Sequence, residues 1–96
     1  MPAYVIAEVE VLNPAEYERY RQRVPATIEK YGGRFIARGG RVEVLESDWQ
    51  PHRMVIIEFA SVERAREWYH SPDYQEVLPI RQRNSRAGFV AIVEGV

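Results

Sequence analysis

Three residues carry most of the chemistry that the spacing of this sequence suggests: Arg38, Tyr74 and Arg81. Arg38 stands immediately before Gly39-Gly40, and paired glycines inside an extended stretch predict a β-bulge, which re-aims the neighbouring side chain. A guanidinium turned inward there would grip a carboxylate through two parallel N–H donors. The bland alternative is an edge-strand arginine in a surface ion pair. Tyr74 and Arg81 are seven residues apart, so a continuous helix puts them on one face. With Trp68, Tyr69, His70 and Ser71 just upstream, they predict a part-apolar recess where Arg81 meets an anion and Tyr74 donates a hydrogen bond. The competing reading makes Trp68 and Tyr74 core, Ser71 a helix cap and Arg81 a solvated surface group.

Glu58 is an acid in a stretch otherwise made of Val, Ile, Met and Phe. Desolvation would raise its pKa and fit it as a general base; a cross-strand partner, Arg41, would keep it ionised instead. Trp49 falls in a turn, where its large apolar surface must cover its own hairpin, a ligand or a partner subunit, the last ranking first. Glu46 and Arg53 read as an ion pair closing the base of that hairpin.

Other chemistries find no support. The two histidines, His52 and His70, have no metal-ligand spacing around them, so neither a metal nor a cofactor is expected. There is no cysteine for thiolate chemistry or disulfides. Gly32-Gly33 ends a helical pattern instead of opening one, so it forms no phosphate loop. Ser61 and Ser71 look like caps, outside any nucleophile-elbow context. Thirteen basic and fourteen acidic residues are interleaved to a net charge of -1, which argues against a nucleic-acid partner. No apolar run approaches the roughly 20 residues of a membrane span, and no basic leader precedes one, so a cytoplasmic protein with no membrane partner is the expectation.

The elements that must position these residues follow from periodicity. Val5, Ala7, Val9 and Val11 alternate with more polar neighbours as a strand does. Asn13-Pro14, with Glu16 at the capping-box position, opens a helix whose stripe is Tyr17, Tyr20, Val24, Ile28 and Tyr31. Pro25 leaves the Arg21 carbonyl without its usual donor, which predicts a kink. A second extended stretch covers 34–46, and Arg53 to Ala60 is a third strand. Placing Glu46 opposite Arg53 also sets Val44 on Val55, Val42 on Ile57 and Arg41 on Glu58, so like meets like and charge meets opposite charge. Ser61 caps a second helix, Ser71-Pro72 restarts the chain as a further short one disturbed by Pro79, 82–87 is a polar connection, and Phe89 to Glu94 is the last strand.

Strand, helix, strand, strand, helix, strand is the ferredoxin-like βαββαβ order, one α+β domain over 1–96 with a four-stranded antiparallel sheet. Val5/Ala7/Val9, Val55/Ile57/Phe59 and Phe89/Ala91/Val93 should lie under the helices. The opposite faces, Tyr4/Ile6/Glu8, Met54/Ile56/Glu58 and Val90/Ile92/Glu94, are too apolar for a bare surface. A second copy packed sheet to sheet would cover them, so a homodimer is expected.

Residues spread over nearly the whole chain also carry a family resemblance. Tyr31-Gly32-Gly33, Arg38-Gly39-Gly40, Glu46 to Trp49 with Pro51, Arg53, Ile57-Glu58-Phe59, Ala65 with Trp68-Tyr69, Ser71-Pro72 with Tyr74-Gln75, and Arg81 together resemble domain-of-unknown-function family thirteen-thirty of the dimeric α+β barrel superfamily. Ser47 departs from the family's usual glycine, which bears on the hairpin turn and not on the fold. The resemblance implies a sheet-to-sheet dimer and kinship with cofactor-independent monooxygenases of antibiotic biosynthesis and with muconolactone isomerases; it implies no particular activity.

Two expectations stand side by side. In the first, the protein is a small-molecule binder or cofactor-independent enzyme for a small, anionic organic compound. Arg38, Tyr74, Arg81, Trp68 and Trp49 would hold the ligand, and Glu58 is the candidate catalytic acid or base. In the second, it is a dimeric accessory module with no chemistry of its own. An enclosed cavity faced by unpaired charge favours the first; a filled core with Arg38 and Glu58 ion-paired favours the second.

Overall fold

In the computed structural model, which describes residues 1–96, the chain runs β1 (Ala3–Val11), α1 (Pro14–Lys30), β2 (Arg34–Arg38), β3 (Arg53–Phe59), α2 (Val62–His70), α3 (Pro72–Asn84) and β4 (Ser85–Glu94). The strands form one antiparallel sheet in the order β2-β3-β1-β4. This is the ferredoxin-like α+β fold, with α2 and α3 sharing the place of the second helix.

Local chemistry accounts for the helix ends. Asn13, Ser61 and Ser71 each accept a backbone N–H from three residues on, Glu16 at 3.3 Å, Arg64 at 3.1 Å and Tyr74 at 3.1 Å. Gly32, with φ +76, turns the chain out of α1. Helix α1 continues through Pro25, and the carbonyl of Arg21 that the proline leaves free accepts a bond from Arg38 Nη2 at 2.7 Å. The core closes between sheet and helices: Val5, Val9, Ile57 and Phe59 from below meet Tyr20, Ile28, Trp68, Tyr74 and Val77 from above.

Three features differ from the periodicity. The stretch after α1 pairs only as far as Arg38. Its bulge lies at Ile36, since Phe35 opposes Ile57 while Ala37 opposes Ile56. Arg34, not Arg41, stands opposite Glu58, so the pairs Val42–Ile57, Val44–Val55 and Glu46–Arg53 do not form. Gly39 is the reason: its φ of +72 takes the chain off the sheet, and the Arg53 guanidinium packs where a side chain at 39 would stand. Residues 41–52 then cross the surface without regular structure, and Ser47 has φ +117.

The second difference is the face of β4. Val5 opposes Ile92 and Ala7 opposes Val90, so Val90 and Ile92 point to the helix side; Phe89, Ala91 and Val93 share the bare face with Glu8, Ile6 and Tyr4. Both faces of β4 are apolar, so alternation alone does not choose between them. A register shift beside Glu8, opposite Gly88, sets the choice. Third, no polar connection spans 82–87, because α3 runs through Pro79 to Asn84 and β4 begins at Ser85.

Candidate functional site

The recess between sheet and helices is walled by side chains from every core element. Val5 and Val9 of β1, with Val55 and Ile57 of β3, form its floor; Tyr17, Tyr20 and Val24 of α1 and Trp68 of α2 form its roof. About 40 Å³ is open to the centres of water-sized molecules, roughly three times the 10–15 Å³ that one water needs. Four arginines also line it, Arg21, Arg38, Arg53 and Arg81, and no aspartate, glutamate or histidine does.

Each arginine is placed by its element. Arg53 begins β3 on the same face as Val55 and Ile57, and its guanidinium lies 6.0 Å from the Tyr17 ring centre. Arg38 closes β2, lies 4.4 Å over the Phe35 ring and braces the free Arg21 carbonyl. Arg21 pairs with Glu18 at 2.7 Å through one terminal nitrogen. The Nε atoms of Arg21 and Arg53 are both buried without a partner. Arg81 is only 6% exposed. None of Arg38, Arg53 and Arg81 has a carboxylate within ion-pair distance.

Arg38 is exposed, Arg53 half-buried and Arg81 buried, so the lack of a counter-ion is costly at Arg81 above all. Burial, then the cations of Arg21 and Arg53, depress the pKa of Arg38. At Arg81 burial also opposes the charge, but Tyr74, Tyr20 and Tyr69 together outweigh it and the pKa rises. The Tyr20 and Tyr74 hydroxyls lie 2.8 Å apart. Burial first raises both phenol pKa values, well above the ordinary value for Tyr20. Both are therefore neutral donors near pH 7. Trp68 is fixed above them, its ring centre 4.2 Å from that of Tyr74 and its Nε1–H donated to Thr27 Oγ1 at 3.0 Å. Guanidinium groups and neutral phenol hydroxyls are hydrogen-bond donors of the kind that suit an anionic oxygen, and no aspartate, glutamate or histidine lines the recess beside them.

The structure thus brings Arg38, Tyr74, Arg81 and Trp68 together around one recess, and it does not bring Glu58 or Trp49 there. Glu58 lies on the opposite face of the sheet, 2.9 Å from Arg34. Trp49 is 46% exposed in the 41–52 segment. Sequence reasoning missed Arg53, Tyr17 and Tyr20 as wall residues. The period-2 run Arg53, Val55, Ile57, Phe59 carried the signal for Arg53, and the apolar stripe of α1 carried it for the tyrosines. It also missed Glu8, 5% exposed, which accepts bonds from the His52 backbone N–H and faces the His52 ring nitrogen, both at 2.8 Å.

The fold is shared with solved structures of low sequence identity. One is a protein of unknown function from Rhodopseudomonas palustris, 20% identical, with a TM-score of 0.74 over 99% of this chain and 82% of that one. A second is a dimeric ferredoxin-like protein of unknown function from Jannaschia sp. CCS1, 11% identical, TM-score 0.70, covering 99% of this chain and 100% of that one. A third is SnoaB, a cofactor-independent oxygenase from Streptomyces nogalater, 15% identical, TM-score 0.68, covering 99% and 93%. No curated protein matches the sequence. The model of a domain of unknown function, DUF1330, matches residues 2–96, and the chain belongs to that family.

Proposed function

We propose that the recess binds a small organic anion and that the protein acts as a small-molecule-binding protein or a cofactor-independent enzyme on such a compound. The observation that carries this reading is the set Arg38, Arg53 and Arg81, which line a largely apolar cavity with no carboxylate within ion-pair distance of any of them, Glu18 acting on Arg38 only from further off. A bound anion would supply the missing counter-charge. If a reaction takes place there, the arginines and phenols would act by stabilising negative charge developing on oxygen. The oxygenase of the same fold supports a reaction of that kind without assigning one.

A thermal-shift screen of small organic acids against their neutral amides tests the proposal. Acids should raise the melting temperature and amides should not, and Arg38→Ala and Tyr74→Phe should each reduce the shift. Hits indifferent to both substitutions would remove the recess from consideration.

A homodimer belongs to the same proposal. The bare sheet face carries Phe89 and Val93 at 41% and 47% exposure beside Tyr4, Ile6, Met54 and Ile56, an apolar patch of the kind a second copy covers. The Jannaschia neighbour is dimeric. This face also favours the second reading, a dimeric accessory module without chemistry, which requires the recess to bind nothing.

A further inference from the structure

The room inside the recess limits its occupant as much as its charge does. About 40 Å³ is open to the centres of water-sized molecules. At about 10–15 Å³ for each water, that is space for roughly three or four non-hydrogen atoms. The wall around it is braced. The Tyr20 and Tyr74 hydroxyls bond at 2.8 Å, the Trp68 ring centre lies 4.2 Å from that of Tyr74, and its Nε1–H is spent on Thr27. Tyr20, Val24, Trp68 and Tyr74 on the helix side are all buried, as are Val5, Val9 and Ile57 on the sheet side. A wall packed in this way yields to a larger guest only at a cost.

The unpartnered polar groups of this space are all donors. Arg81 is 6% exposed and has no carboxylate within ion-pair distance. The Nε–H groups of Arg21 and Arg53 are buried without an acceptor. Most of the remaining lining is aliphatic or aromatic carbon. Resting on the anion-binding reading above, we infer that the recess takes a compact carboxylate of about the size of acetate, one anionic head carrying one small alkyl group, and that it excludes ring compounds. The head accepts from guanidinium N–H groups that the chain leaves unpaired. The alkyl group lies against Val5, Val9, Val24 and Val55. Formate leaves that contact unmade. Butyrate and benzoate overfill the space and must push the wall apart.

A size series tests this by NMR titration of the full chain at fixed ionic strength, read at the methyl signals of Val5 and Val9. The probes are formate, acetate, butyrate and benzoate, with acetamide as the neutral match for acetate. Affinity should peak at acetate. Butyrate and benzoate should bind at least about tenfold more weakly, the scale on which overpacking acts, and acetamide should not bind. Val24→Ala and Val55→Ala each remove part of the wall, one from the helix side and one from the sheet, and each should move the peak towards butyrate. Either folded variant suffices for that comparison, and the series on the unmodified chain needs neither. Benzoate binding as tightly as acetate, or affinity climbing steadily with carbon number, overturns the size limit and leaves the anion site standing. Binding by none of the acids, acetamide matching acetate, or a peak unmoved by the enlarged wall overturns the inference together with the anion site in this recess.

Discussion

Tyr20 and Tyr74 show how residue-level chemistry shapes the recess. Their buried hydroxyls satisfy one another at 2.8 Å, so Tyr74→Phe strands the Tyr20 hydroxyl and should cost about 1–3 kcal/mol in a urea melt. The double change Tyr20→Phe/Tyr74→Phe should cost less than the two single changes added together, and strict additivity would show that the hydroxyls are not coupled. Glu8 gives a pH-dependent counterpart. The His52 backbone N–H and then its ring hold the Glu8 pKa below the usual 4.5, against burial. A carboxyl depressed in the folded state stabilises above its unfolded pKa, and that contribution is lost as acid brings the pH down through the folded value. Stability should therefore fall on acidification below about pH 4.5, and fall less steeply for Glu8→Gln; parallel curves for the two proteins would exclude Glu8 as the cause. At this scale the sequence was informative where spacing is rigid. Tyr74 and Arg81 share a helix face because their separation demands it. Arg53 was read as the partner of Glu46 because a plausible ladder hid its place on the core face of β3.

Capping residues made the helices legible, since Asn13, Ser61 and Ser71 each do locally what their types favour. The strands after α1 were not legible in the same way. Several registers match apolar residues of 42–45 against β3, and a positive-φ glycine decides which strand forms at all. The Arg38–Arg21 bond links two elements and is open to direct measurement. Arg38→Ala should destabilise the protein by about 1 kcal/mol. In a Pro25→Ala background, where the helix supplies its own N–H to the Arg21 carbonyl, that cost should shrink. An unchanged cost would mean that Arg38 stabilises through Phe35 or the cavity instead. Ser47, at φ +117, sits where glycine is unstrained. Ser47→Gly should raise stability by about 1 kcal/mol, less whatever the Ser47 Oγ bond to the Trp49 N–H contributes; a loss of stability would show that this bond outweighs the strain.

For the molecule as a whole, the sheet separates two jobs. Its helix side holds the arginine-lined recess, and its bare side is an apolar surface suited to a second copy. The apolar character of that surface was legible, but which half of β4 belongs to it was not, because the shift opposite Gly88 inverts the strand. Sedimentation at micromolar concentration should give twice the monomer mass, and Val93→Glu should shift it toward one; a monomeric wild-type protein would leave the bare face unexplained. The recess remains the central claim, and arginine side-chain NMR tests it most directly. Titrating acetate, an acid small enough for the recess, into the nitrogen-labelled protein should move the Nε–H signals of Arg53, Arg38 and Arg81 while those of the exposed Arg19 and Arg66 stay in place. Signals that move at the surface arginines alone, or nowhere, would contradict an anion site beneath the helices.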